Sequence, residues 1–500
     1  MIKLEVNIGM QISTSVLEEL KSIVGEKFVA NSDYARWCYA IEEAWAFPYA
    51  PVVDHLGPPD VIVKPQTTEQ VSEIVKLANK MKIPVIPRGG GQGNAAGAAP
   101  SSLGGIMLDM TDMNQFICYD PISRAARFQA GILWGSLHRE LARYGVKTGY
   151  MGPHGLYGAT VAGGLSLDST GICGTRYGQC SENVVNLQVV LPQGDIIETG
   201  SLSNTTCEFF HRYCNGPDLA GLFLGASGAL GVVTEITMRT YPIALFKADI
   251  CYIFPDAESA VKAINEMDMY ELLDDYLGYG NGAMFDLLKL IIKMEQPKMP
   301  VFLYTTAYDE VILKRKVSMI QDIAKKYNGT EGPDPNMIGQ SAYDKDEMFG
   351  GGLCKWLGGL INKTCNVVPL LMVPKINEMQ EKWLKERENL WPSSGPIFGG
   401  PSTKSWYLIF IGGIKHGFTL HVTGFCFDGT IPENRRKGYD LWHEALRQKI
   451  ENGTCPYWVG KDAYMQDLVR LWKPEYSEFL KSIKKALDPN NIMNPGALGL

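Results

Sequence analysis

The sequence predicts an α+β chain in two parts, and three observations predict it. Residues 60–87 read as a β-α-β unit whose last strand runs straight into "PRGGGQGN" at 87–94. Two more glycine-rich runs follow, "GATVAGGLSLDSTGICGTRYG" at 158–178 and "LFLGASGALGVVTEITMRTYP" at 222–242. Beyond Pro242 the texture changes to longer amphipathic helices and alternating strands, which marks a second α+β region.

"DVIVKP" is a short apolar strand. In "TTEQVSEIVKLANKMK", Thr67 and Gln70 stand at capping-box spacing. Val71, Ile74, Val75 and Ala78 then give the single apolar stripe of a helix. "IPVIP" is the returning strand. "GGIMLDMTDMNQFICYD" reads as strand and turn, and a strand up to Gly131 precedes a helix carrying Leu133, Leu137 and Leu141. "VVNLQVVLPQGDIIETG" turns as a hairpin at 192–194. In the second region "KADICYIF", "PVFLYTTAY" and "GFTLHVTGFCFD" are strands, and "INEMQEKWLKERENLW" is an amphipathic helix. The last helix stops at the turn "DPNN", and the apolar, proline-bound tail is expected to pack back on the chain. No internal repeat is legible.

Composition excludes several classes. The 500 residues are 45% hydrophobic and 20% charged, which is ordinary for a globular chain of two or more domains. A net charge of -7 argues against a nucleic-acid grip and is compatible with a basic electron-transfer partner. No window of about 18 apolar residues is present, so no membrane span is expected. The N-terminus lacks the features of a secretory signal, and 11 cysteines without regular spacing fit reduced thiols, so a cytoplasmic location is expected. "CEFFHRYC" has no fourth ligand nearby and matches no common zinc spacing.

A glycine loop at the end of a strand can turn successive backbone N–H groups inward and hold phosphate. Here no Lys follows as a P-loop requires, and Ala96 stands where a dinucleotide fingerprint needs its third glycine.

As an ordered set, "PDVIVKPQTTEQVSEIVKLANKMKIPVIPRGGGQG", "TVAGGLSLDSTGICGTRYG", "LFLGASGALGVVTEI" and "LDPNNIMNPG" resemble the vanillyl-alcohol-oxidase and para-cresol methylhydroxylase superfamily of FAD-linked oxidoreductases, over nearly the whole chain. The resemblance implies an α+β fold. Its FAD-binding domain would span 1–242 and be completed by 458–500, with a second α+β substrate (cap) domain over 243–457 covering the flavin. It implies that Pro87, Arg88, Gly89, Gly90, Gly91, Gln92, Gly93 and Asn94 wrap the pyrophosphate. Pro153, Thr160, Gly163, Gly164, Thr170, Gly171 and Tyr177 would meet the cofactor along its ribityl chain and isoalloxazine ring. Gly228, Gly231 and Val232 would flank the adenine end, and Asn494 with Pro495 would return the C-terminus to the flavin. Members that attach FAD covalently use a His in the first glycine loop. Gln92 and no His stands there, so the FAD is expected to be noncovalent.

The N-terminal half is similar to D-lactate and glycolate dehydrogenases, which clamp a 2-hydroxycarboxylate with a metal bound by a motif G-H-x-G-D-G-N-x-H. The corresponding "IGGIKHGFTLHV" keeps His421 but has Ile414 at the first His, so no catalytic metal is expected. The C-terminal half resembles vanillyl-alcohol and eugenol oxidases through "LHVTGFCFDGTIPENRRKGYDLWHEAL" and "PYWVGKDAYMQDL". That resemblance places Tyr457 at a phenolate-binding tyrosine, with Lys461 as the nearest cation. The family's partner arginine is missing, Ala95 stands at its other phenol-binding tyrosine, and Gln179 at its catalytic aspartate. His421, on an alternating strand with Thr419 and Thr423, is a candidate substrate-contacting or acid–base residue. Tyr276, Tyr279, Trp391, Trp406 and Tyr407 suit a flat apolar substrate. The expected reaction is hydride transfer from a para-substituted phenol or aromatic alcohol to flavin N5. Two alternatives stay open: a 2-hydroxy-acid dehydrogenase without the usual metal, and a flavin electron-relay subunit of a larger complex. The expected partners are a small-molecule substrate, an electron-transfer protein and further copies of the chain.

Overall fold

A computed structural model of the chain describes residues 12–40, 58–93, 104–152, 158–282, 299–335, 361–387, 406–426, 432–457 and 471–500. Its first layer runs α1 (Thr14–Val24), β1 (Val29–Ala30), α2 (Asp33–Cys38), β2 (Val61–Val63), α3 (Thr68–Met81), β3 (Val85–Arg88) and β4 (Ile106–Asp109). The sheet order is β1-β2-β4-β3, so β4 lies between the two strands of the β-α-β unit and parallel to both. Val71, Ile74, Val75 and Ala78 of α3 are fully buried, as their spacing predicts. Each larger side chain of that stripe contributes roughly 1.5–3 kcal/mol by leaving water. The capping box closes only in part. Thr67 accepts from the Gln70 amide at 3.2 Å, but Gln70 Oε1 accepts from the Gln66 amide at 2.8 Å, one residue before the cap.

The second layer comprises β5 (Phe116–Asp120), β6 (Ala125–Gln129), α4 (Trp134–Ala142), β7 (Val146–Thr148), α5 (Val161–Ser166), α6 (Gly174–Tyr177), β8 (Val184–Val190), β9 (Ile196–Glu198) and β10 (Val232–Pro242). Its order is β5-β6-β10-β8-β9, with β7 also paired to β10. The β8–β9 hairpin turns where the Pro-Gln-Gly sequence places it. In α4 the buried stripe is Trp134, Leu137 and Leu141, while Leu133 sits at the N-cap and is only partly buried.

The third sheet draws only on residues between 246 and 456: β11 (Phe246–Phe254), α7 (Ala257–Met269), β12 (Asp275–Gly282), β13 (Met299–Ala307), α8 (Glu310–Lys326), β14 (Thr330–Glu331), β15 (Ile361–Pro369), α9 (Val373–Glu386), β16 (Trp406–Ile414), β17 (Phe418–Cys426), α10 (Pro432–Glu451) and β18 (Cys455–Pro456). The strand order β14-β11-β13-β12-β16-β17-β15-β18 reveals a repeat that the sequence does not show. Two β-α-β-β-α-β units of identical strand order meet through antiparallel β12 and β16. The repetition lies in topology and side-chain direction rather than in residue identity.

Side chains alternate across each strand, so the faces of this sheet can be assigned. Tyr276, Leu303 and Ile411 pack with Ala260 and Ile264 of α7 and Ile320 of α8. Asp275, Tyr304 and Thr306 point the other way and meet the second layer. The chain closes with α11 (Pro474–Leu487) and a tail that returns to β3: Val85 N donates to Ile492 O at 2.7 Å, and Asn494 N to Val85 O at 2.8 Å.

Candidate active site

The three glycine runs converge. Gly90 approaches the second run so closely that a Cβ there would lie 1.6 Å from the Gly158 carbonyl oxygen. A Cβ on Gly89 would lie 2.0 Å from Thr160 Oγ1. Thr160 is held by capping α5, accepting from the Gly163 amide at 3.2 Å. Gly228 of the third run, with φ of 71°, passes over Pro87, whose ring would lie 3.1 Å from a Cβ. Buried around this junction, Gln92 Oε1 and Ser227 Oγ have no hydrogen-bond partner among the described residues. A buried polar atom left unpaired costs about 1–3 kcal/mol, so these two atoms fit a polar guest. Closely approaching backbone and unpaired polar atoms together suit the diphosphate of FAD. Arg88 lies across its own loop, with its guanidinium 5.3 Å from the Tyr39 ring centroid. Gly91 and Gln92 continue that loop, and Gly93 is its last described residue.

The tail clamps the third run from below. Asn494, fully buried, donates through Nδ2 to Ser227 O at 2.5 Å. Lys484 Nζ donates to Ala229 O and Met493 O, each at 2.8 Å, and pairs with Asp488 at 2.6 Å. Asp488 in turn accepts from the amides of Ile492 and Met493. Sequence reading missed Lys484 and Asp488; their i, i+4 spacing just before the apolar tail was the available signal. Val232 begins β10, and Gly231 just before it packs on Val189.

The second glycine run is gripped by the third sheet. Cys173 adopts a left-handed φ of 67°, which costs a non-glycine residue of order 1 kcal/mol. Asp275 Oδ2 accepts from its amide at 2.8 Å, and Asp275 Oδ1 from Thr175 Oγ1 at 3.2 Å. Beside it the buried Asp274 pairs with Arg176 at 2.6 Å. Glycine on each side makes room for the contact: a Cβ on Gly174 would lie 2.9 Å from Gly413 O, and one on Gly413 would lie 1.7 Å from Thr175 Oγ1. This acidic pair also escaped the sequence reading; two adjacent carboxylates in "LLDDYLGYG" were its signal. Gly163 and Gly164 lie in α5, Thr170 and Gly171 just before α6, and Tyr177 at its end, packed 4.6 Å from the Tyr241 ring.

Tyr457, one residue beyond β18, donates its backbone amide to Cys365 O at 2.9 Å. Its hydroxyl accepts from the Thr170 amide, so it touches the second run directly. Burial holds the phenol well above its ordinary pKa, with smaller contributions from Asp168 and Cys365, so it remains an O–H donor at neutral pH.

His421 requires a correction. The register pairs it with Ile411 and Asn366, on the helix-covered face of the sheet. It is fully buried, and its Nε2 lies 2.8 Å from Asn377 Oδ1 of α9. Burial and the nearby Lys449 push its pKa well below the ordinary value. Tyr457 pairs with Cys365 on the opposite face, so the two residues do not share a pocket. Alternation correctly grouped His421 with Thr419 and Thr423, but alternation alone does not say which face meets the helices. Tyr276 is likewise core rather than pocket. Asn94, Pro153, Lys461 and Trp391 lie outside the described residues, as do the side chains of Tyr279, Trp406 and Tyr407. Among the described residues no group of three or more His, Cys, Asp or Glu is placed to hold a metal, and no helix is long and apolar enough to cross a membrane.

Comparison with known proteins matches this geometry. Residues 59–200 match the FAD binding domain family and residues 460–498 the C-terminal domain of FAD linked oxidases. A mitochondrial D-lactate dehydrogenase (cytochrome) of Arabidopsis thaliana is 26% identical over 98% of this chain and 80% of its own length. The glycolate oxidase subunit GlcD of Bacillus subtilis (strain 168) is 27% identical over 97% of each chain. A crystal structure of p-cresol methylhydroxylase with substrate bound superposes with a TM-score of 0.81 at 20% identity, covering 97% of this chain and 96% of that one.

Proposed function

The chain belongs to the vanillyl-alcohol-oxidase superfamily of FAD-linked oxidoreductases, and from that premise we propose that it oxidises a para-substituted phenol or aromatic alcohol held by Tyr457. The observation that carries the reading is the Tyr457 hydroxyl seated on the Thr170 amide, where the third sheet meets the second glycine run. In this reading residues 1–242 with 458–500 bind the cofactor, and 243–457 form the cap.

Bound FAD supplies a two-electron acceptor for hydride. The first glycine loop, Thr160, Ser227 and the Asn494 clamp would hold it, without a covalent link because Gln92 replaces the loop histidine. In this reading the Tyr457 hydroxyl, held at the second run by the Thr170 amide, donates to the substrate oxygen. As that oxygen gains charge, a preorganised donor stabilises it. Alternation places Leu277, Phe302, Cys365 and Val422 on the same face as Asp275, Tyr304 and Tyr457. That apolar ceiling excludes water and suits a ring better than a carboxylate.

A second reading, oxidation of a 2-hydroxy acid, is favoured by the relatives that match over nearly the whole chain. It needs a cation for the carboxylate, and on the described part of this face Arg176 is already tied to Asp274. Anaerobic titration separates the two. Para-alkylphenols or aromatic alcohols are expected to bleach the flavin, before and after chelator treatment. Bleaching by D-lactate or glycolate alone, abolished by chelator, would establish the second reading instead. Acid precipitation should leave the yellow cofactor in the supernatant; colour retained in the pellet would contradict the noncovalent assignment.

A further inference from the structure

Arg88 and Asp109 end the parallel strands β3 and β4 as partners in register, so their side chains leave the same face of the first sheet. Asp109 is 3% exposed, and its oxygens are taken up by groups that hold it in place. Oδ1 accepts from the Thr111 amide at 3.0 Å and from the Thr111 hydroxyl at 2.6 Å. Oδ2 accepts from the Tyr39 hydroxyl at 2.5 Å and pairs with Lys64 Nζ at 3.1 Å. Together these donors occupy the acceptor sites of the carboxylate.

Tyr39 stands at the C-terminal end of α2, outside the stretch 59–200 that matches the FAD binding domain family. With Ala35 it packs on Ile62, Ile86 and Met107, so α2 covers the face from which Arg88 and Asp109 emerge. Ser32 caps this helix, and Arg36 Nε ties it to Pro59 O at 2.7 Å, just before β2. Burial and the bond to Asp109 hold the Tyr39 phenol well above its ordinary pKa, so it stays a donor at neutral pH. The hydroxyl bond then fixes the ring.

The Arg88 guanidinium lies over that ring, 5.3 Å from its centroid. It also lies against Gly91, whose φ is 67° and where any Cβ would collide with it. The cation therefore stands on the first glycine loop. A guanidinium recognises phosphate through paired N–H groups, and stacking on an aromatic face pre-orients it.

We propose that Tyr39 is a positioning residue for the cofactor, carrying the Arg88 guanidinium on its ring so that it meets the FAD diphosphate at the first glycine loop. Its hydroxyl does the second half of the task by occupying Asp109 Oδ2, which would otherwise draw Arg88 off the loop. The proposal rests on the reading of that loop as the diphosphate cradle. Full-length protein from riboflavin-starved cells, titrated with FAD by fluorescence quenching at low and high salt, tests it. Arg88→Met should raise the Kd about tenfold at low salt and flatten its salt dependence. Tyr39→Leu keeps an apolar side chain on Ile62, Ile86 and Met107, and should raise the Kd by a similar factor with the same flattening. The double variant should be no weaker than either single one, because both lose one shared contact. Tyr39→Phe keeps the ring, and its Kd should rise about threefold. Unmodified affinity in Tyr39→Leu, or losses that add in the double variant, would make Tyr39 a packing residue and overturn the proposal. Should Tyr39→Leu not fold, Tyr39→Phe decides by the same two criteria. Unmodified affinity in Arg88→Met would overturn the proposal as well while leaving a cradle of backbone alone, which Gly90→Ala tests separately.

Discussion

Gly90 shows how much one residue can determine at the cofactor cradle. Its neighbour across the junction is a backbone carbonyl, Gly158 O, which cannot rotate aside as a side chain can. Gly90→Ala must therefore separate the first and second runs, at a cost on the order of 3 kcal/mol, the upper part of the overpacking range. We expect the variant to purify largely free of flavin while keeping native-like secondary structure by circular dichroism. Full flavin content at unchanged affinity would show that this contact does not shape the cradle. Residue types at such places are legible in a sequence because glycine is needed where backbones touch. The buried clamp of Lys484 and Asp488 is less legible, because a lysine in the last turn of a helix ordinarily points to water.

The element that joins the two halves is α6, only four residues long. No periodic pattern announces so short a helix, and its position is set from outside by Asp274 and Asp275 of β12. Asp275→Ala would leave the Cys173 amide and the Thr175 hydroxyl without their acceptor in a buried site. We expect about 2 kcal/mol of destabilisation, read as a lower urea midpoint and earlier release of flavin fluorescence on heating, with a smaller effect for Asp275→Asn. An unchanged midpoint in Asp275→Ala would show that α6 is held by its glycine contacts alone. The larger elements were legible for ordinary reasons. The α3 stripe, the β8–β9 turn and the alternating β17 each follow from one strong local pattern. What those patterns omit is orientation: His421 was assigned to the right strand and the wrong face.

Across the whole molecule, chain order and spatial order separate. The last residues complete the first part of the fold, with Met493 beside Val85 and Asn494 on Ser227. The uncharged, sharply turned tail made that return legible, whereas the doubled unit of the third sheet was not, since the two copies fill their cores with different chemistry. The account of function depends on one contact between the parts, the Tyr457 hydroxyl on the Thr170 amide. Its most direct test is anaerobic stopped-flow reduction of Tyr457→Phe by the fastest phenol or aromatic alcohol of the titration. Phe keeps the ring and its packing, so the variant should fold and stay yellow, while flavin reduction falls on the order of a hundredfold, roughly 3 kcal/mol for one lost donor. Reduction at the rate of the unmodified protein would make Tyr457 a packing residue and contradict the assignment of the substrate site.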